Sequence, residues 1–192
     1  MIFAITCTLF FVLATIFMST ATFFMYVSFI FIGTFLGFSI GTAPVIGYHY
    51  GAKNYDELKN LLKKSLRLLG VTALILTVIS EILSEVLASI FVSYDAELLE
   101  LTTKALRLFS LSYLIAWFNM FASSFFTALN NGLISAVISF LRTLVFQTIM
   151  IFILPEILGI DGIWLAVVFA ELLAMIVSAI FLIKNKKKNN YA

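Results

Sequence analysis

Three side chains capable of proton or ion chemistry stand inside long apolar runs of this 192-residue chain: Glu171 in VFAELLAMIV, and Arg142 and Gln147 in SFLRTLVFQTIM. A carboxylate among such neighbours can exchange a proton or a cation, or it can make a buried helix-packing hydrogen bond. At the centre of a bilayer it costs about 3 kcal/mol or more, so it must face an interior, meet water or hold a proton. Arg142 follows Gly132 by about two and a half helical turns, roughly 15 Å, and is expected to snorkel back to the cytoplasmic interface. An ion pair with Glu171 is the competing arrangement, and a single sequence does not fix the rotation of either helix. Asn119, Ser123, Ser124 and Thr127 recur at spacings of three and four, a polar stripe on one helix face. Such a stripe either lines a cavity that meets polar ligands or bonds to a neighbouring helix. Glu81 and Glu85, one turn apart, read as a helix end rising into a water-filled mouth.

Other chemistries find little material. His49 is the only histidine and Cys7 the only cysteine, so no Cys-based zinc site and no internal disulfide are available. Cys7 sits in an apolar run and reads as packing. No metal-ligand spacing, glycine-rich phosphate loop or nucleophilic triad is visible, so no catalytic residue, metal site or cofactor is expected and the chain does not read as an enzyme. The net charge of +2 does not point to nucleic acid.

The elements that position these residues are membrane helices. The chain is 62% hydrophobic and 11% charged with a mean hydropathy of +1.12, whereas a soluble domain carries about 25% charged residues. About 20 apolar residues span the hydrocarbon core as a helix. Six runs qualify, near 2–22, 25–48, 66–93, 102–128, 133–154 and 161–183, within a single transmembrane lobe over 1–192. The first boundary, MSTATF (Met18 to Phe23), has to turn the chain without glycine, proline or charge. One long segment there would leave five spans. Residues near 55–65 place Leu58, Leu61 and Leu62 on one face and charge on the other, an amphipathic helix in the interface. Lys53, Lys59, Lys63, Lys64 and Arg67 follow the second run, and Lys184, Lys186, Lys187 and Lys188 follow the last. Asp95, Glu97 and Glu100 in one loop, and Glu156 and Asp161 in another, have no basic residue beside them. By the positive-inside rule both termini of this multi-pass protein are cytoplasmic, and the expected location is the cell's inner membrane.

GTAPVIGYHYGAKN, residues 41–54, is where charge first appears. Tyr48, His49 and Tyr50 suit an interfacial belt with one wet and one apolar end. Pro44 frees the carbonyl of Ile40, and Gly47 and Gly51 permit a close turn out of the helix, so the stretch reads as a hinge at the cytoplasmic end of a span.

With the amphipathic LKNLLKKSL after it, GFSIGTAPVIGYHYGAKN resembles the second helix and following loop of the carboxy-terminal lobe of the MATE (multidrug and toxic compound extrusion) family. FFTALNNGLISAVISFLRTLVFQ and LPEILGIDGIWLAVVFAELLA resemble that lobe's tenth to twelfth helices, in order and spacing, so the likeness covers about residues 26 to 185. It implies an all-α, polytopic fold of six transmembrane helices, half of a twelve-helix transporter. It also implies a cation-coupled antiporter that exports drugs and small organic cations by alternating access, driven by Na+ or H+. The expected partners are the lipid bilayer, those compounds, and a second six-helix lobe supplied by a separate chain or by self-dimerisation. Asn119, Thr127, Gln147 and Glu171 are the expected cavity residues. Glu171 and Arg142 match the acidic and basic positions of the family's AE and LR patterns in place only. No sodium-site residue carries over, because the runs 2–22 and 102–128 hold no acid. Two other readings fit the same helices, a non-functional truncated fragment and a flippase for lipid or oligosaccharide precursors. Arg142 is the only support for the basic cavity the flippase needs.

Overall fold

Two capping side chains set helix starts along the chain. Asn54 accepts a hydrogen bond from the Glu57 backbone N–H at 3.4 Å, and Asp95 accepts from those of Glu97 and Leu98 at 3.0 and 3.2 Å. Both caps satisfy backbone donors left open at a helix N-terminus, and the acidic first turns behind them suit the helix dipole.

In the computed structural model the described residues form eight α-helices. They are α1 (Ile2–Gly51), α2 (Tyr55–Ile82), α3 (Ser84–Val92), α4 (Ala96–Ser110), α5 (Tyr113–Ala128), α6 (Gly132–Phe140), α7 (Gln147–Leu158) and α8 (Ile160–Asn185). Six residues of π-helix, Leu141–Phe146, join α6 to α7. The structure describes the backbone of residues 2–92 and 95–186, and side chains from Met25 onward. Cys7, Lys187 and Lys188 therefore lie outside the described side chains.

The described elements are all helical, as expected. Met25–Gly51, Tyr55–Ile82, Gly132–Leu158 and Ile160–Asn185 are long and apolar enough to cross a membrane, and α4 with α5, bent by 42°, makes a fifth if counted as one span. Each of the five overlaps one of the expected runs that begin at or after residue 25. Three boundaries differ. The run expected at 66–93 is broken, since α2 ends at Ile82 and α3 starts anew at Ser84. The backbone stays helical through Met18–Phe23, where a turn was expected, because nothing in that segment interrupts the backbone ladder. The amphipathic stretch at 55–65 is not a separate helix but the first turns of α2, whose buried face runs unbroken through Leu58, Ser65, Leu69, Ala73 and Thr77. Those intervals of seven and four residues keep one face in register past the change from charged to apolar sequence.

α5 is the central element, packed against α1, α2, α6 and α8. Its buried face carries Tyr113, Asn119, Phe121, Phe125 and Phe126. Phe31 of α1 stacks on Tyr113 with ring centroids 3.8 Å apart, and Phe121 and Phe125 continue the aromatic core. α7 and α8 form a tight hairpin. Gly159 turns the chain at φ +62°, ψ −139°, a conformation open essentially to glycine alone. A Cβ at Gly162 would lie 2.3 Å from the Leu154 carbonyl oxygen, so the two helices approach as closely as a bare backbone allows. Outward-facing apolar side chains such as Leu133, Phe152 and Ile157 are more than 70% exposed, which fits a surface covered by lipid or by another helical body.

Candidate functional site: a buried charge network

α8 presents its interior face as Gly162, Ala166, Ala170, Ala174 and Ser178, one small residue every four positions, with Glu171 beside them. Small residues let neighbouring helices come close, and Glu171 is carried inward with them to 8% exposure.

There its carboxylate is paired and hydrogen-bonded. Arg142 Nε donates to both carboxylate oxygens of Glu171, at 2.8 and 2.9 Å. Asn119 Nδ2 of α5 donates to Glu171 Oε2 at 2.8 Å and to the Glu171 carbonyl at 3.0 Å. Asn119 Oδ1 in turn accepts from Ser178 Oγ, two turns along α8, at 2.9 Å. The network ties α5, the π-helical turn and α8 together inside the bundle. The expectation that Arg142 snorkels to the interface is thus corrected: its Nε bonds inward to Glu171, and its side chain is only 21% exposed. Its place in the π-helical turn, where the wider winding re-aims side chains, is the local feature that accompanies this direction.

A cavity of about 200 Å³ opens beside the network, walled by α1, α4, α5, the π turn, the start of α7 and α8. Arg142, Glu171 and Gln147 line it, and so do Ser28, Phe35 and Tyr113. Ser28 Oγ and Tyr113 OH, both on its wall, share a hydrogen bond of 2.6 Å. Three of the four expected cavity residues therefore come together. Gln147 and Glu171 are on the wall, and Asn119 is bonded to Glu171 immediately behind it.

Thr127 stands apart. Its hydroxyl donates to Ser135 Oγ at 2.8 Å, in a cluster with Ser123 and Ser139 that links α5 to the helix after it. The stripe on α5 thus divides between two neighbours, Asn119 toward α8 and the hydroxyls of Ser123 and Thr127 toward α6. The hinge residues also separate. Pro44 lies on an exposed part of α1, and the helix continues past it. Gly47 sits where a Cβ would meet the Ala128 carbonyl at 3.4 Å, a close contact between α1 and the end of α5. Gly51 closes α1 without positive φ, and the left-handed residue of the following turn is Lys53, at φ 56°. The His49 ring packs edge-on against Tyr48, and its Nδ1 is buried without a partner among the described residues.

At the end of the bundle bearing Asp95 and Asp161, Glu81 accepts from Ser110 at 2.5 Å and so joins α2 to α4. Glu85 is exposed and lines an open cleft of about 540 Å³ with Glu100, Lys104 and Arg107. Lys104 pairs with Asp161 on the surface. Ser178, Ser28 and Tyr113 were not anticipated. Ser178 follows Glu171 by seven residues, two helical turns, so the shared face was legible in that spacing. No spacing rule links Ser28 to Tyr113, 85 residues away.

A helical, polytopic membrane bundle with a charged pair and a cavity in its interior is the class these features define. The sequence pattern of the MatE family matches residues 1–153, and the chain belongs to that family. No curated relative matches it. Among solved structures, the Vibrio cholerae MATE transporter VcmN in its bent form is 19% identical, with a TM-score of 0.81 over 90% of this chain and 39% of that one. The outward-facing conformation of a multidrug resistance MATE family transporter of the MOP superfamily is 22% identical, with a TM-score of 0.82 over 91% and 39%. A MATE structure in complex with MaL6 is similar at 20% identity, with a TM-score of 0.81 over 91% and 40%. These likenesses show the fold, and the chain spans about two fifths of the length of those structures.

Proposed function

We propose that this chain is the carboxy-terminal lobe of a cation-coupled antiporter that exports small organic compounds, organic cations and drugs among them. The observation that carries the reading is the Arg142/Glu171/Asn119 network on the wall of an interior cavity. An ionised pair is costly to place among apolar helices, and such groups there mark pathways for ions or polar solutes. Family membership supports transport, and the chain's share of its structural relatives supports the role of one lobe. The lobe would work by rocking against a second six-helix lobe, a separate chain or another copy, about a cavity near the midplane. Glu171 is the residue assigned to respond to the coupling ion, Na+ or H+. Its carboxylate is held by Arg142, and neutralising it would release the arginine and loosen α8 from the π turn. The basic residues beside the start of α2 and the end of α8 support an inner-membrane protein with both termini cytoplasmic.

The test is efflux of a panel of fluorescent organic cations and zwitterions from cells making this chain, alone and with a second six-helix lobe. Efflux above background that falls toward background in Glu171→Gln is expected. Background efflux in every combination sinks the transport reading, and undiminished efflux in Glu171→Gln removes Glu171 from the mechanism.

A further inference from the structure

The ion pair uses only one of the three guanidinium nitrogens of Arg142. Nε gives its N–H to the carboxylate, while the two terminal nitrogens, with four N–H donors between them, make no hydrogen bond among the described residues. Arg142 lines the interior cavity, so a ligand there can meet that end of the side chain. Gln147 lines the same cavity, and its amide also has no hydrogen bond among the described residues.

The acceptor side is the reverse. The Glu171 carboxylate already receives two donors, the N–H of Arg142 Nε shared between both oxygens and one N–H of Asn119, and its charge is matched at contact distance. An organic cation entering the cavity therefore finds the carboxylate already paired with an arginine, whereas an acceptor finds donors without partners. The remaining lining is largely apolar and aromatic, including Phe35, Phe109, Tyr113 and Met120. At about 200 Å³ the space is smaller than the roughly 300 Å³ at which sites for whole small molecules begin, so it suits one group of a larger ligand.

The geometry points to a subsite for an aromatic carboxylate. Its carboxylate is held by the terminal nitrogens of Arg142 and by Gln147, and its ring lies against the aromatic wall. Paired N–H donors of a guanidinium match the two oxygens of a carboxylate, which a single ammonium does not. The inference rests on the transport reading of this cavity and narrows it: an organic cation gains from the subsite only when it also carries such a group, as a zwitterion does.

Fluorine NMR of the purified 192-residue chain in detergent tests this with three probes of similar shape: 4-fluorobenzoate, 4-fluorobenzamide and 4-fluorobenzylammonium. Benzoate is expected to bind saturably and about tenfold or more tighter than the other two. Arg142→Lys, which keeps the charge and loses the fork, is expected to weaken benzoate about tenfold. Because that variant also touches the ion pair, Gln147→Leu is the second one, and it should weaken benzoate while leaving the pair in place. No saturable benzoate binding, equal binding of the three probes, or unchanged affinity in either variant overturns the subsite. Benzoate binding without cellular efflux keeps the subsite and sinks the transport reading. Efflux by a chain that does not bind benzoate does the opposite.

Discussion

At the scale of single residues, Arg142 and Glu171 dominate the interior because each makes the other tolerable. Their side chains are 21% and 10% exposed, so solvent does little to screen either charge. Removing one partner of such a pair leaves an uncompensated buried charge, at a cost of about 3 to 5 kcal/mol, while replacing both by apolar residues costs much less. Steric-trap unfolding in bicelles should therefore find Arg142→Leu strongly destabilised and the Arg142→Leu/Glu171→Leu double variant substantially recovered. Additive losses would show that the two side chains do not act as a pair. In the same measurement Ser178→Ala, which removes one neutral bond to Asn119, should cost only about 0.6 kcal/mol, the usual worth of a hydrogen bond between membrane helices. The charged pair, then, and not the amide and hydroxyl behind it, sets the stakes of this site.

Among the elements, the α7/α8 hairpin fixes where Glu171 stands. Gly162 meets the backbone of Leu154 and Pro155, which cannot rotate away as a side chain would. Gly162→Ala should destabilise the lobe by about 2 kcal/mol or more, since the helices must part to admit the methyl group. Gly51→Ala provides the contrast. Gly51 has open space around it and no positive φ, so the change should stay within about 0.5 kcal/mol. Comparable losses at the two positions would mean that close helix approach is not what the glycine of α8 supplies. The π turn at Leu141–Phe146 belongs to this scale as well, because it holds Arg142 at the cavity and hands the chain on to Gln147 at the start of α7.

For the whole molecule, the apolar exterior and the placement of charge decide how the bundle sits in a membrane. Gly132–Leu158 buries few of its residues within the lobe and so offers one of its broadest apolar faces to lipid or to a second lobe. The basic start of α2 and the acidic Asp95 turn lie beyond opposite ends of α2 and α3, and the positive-inside rule sends the first to the cytoplasm. In a Cys7→Ser background, Lys64→Cys should resist a membrane-impermeant maleimide in intact cells and react after permeabilisation, while Asp95→Cys should react in both. The reversed pattern would overturn the orientation.

The sequence by itself determined that this chain is helical and belongs in a membrane, because apolar runs of spanning length and clusters of lysine are properties of the chain that need no partner. It also marked Glu171, Arg142, Gln147 and Asn119, since a polar group in an apolar run is conspicuous wherever its helix points. What it left open was direction. Membrane helices are apolar on nearly every side, so the pattern that tells a soluble helix which face to bury is weak in α8 and α1, and rotation about the axis has no local signature. Only the tertiary structure turned Arg142 inward, through a π-helical turn that no residue type announces, and divided the α5 stripe between Glu171 on one side and Ser135 on the other. It likewise showed that Gly162, rather than Gly51, is the glycine a neighbouring backbone requires, because close approach is a property of two helices and neither one's sequence contains it.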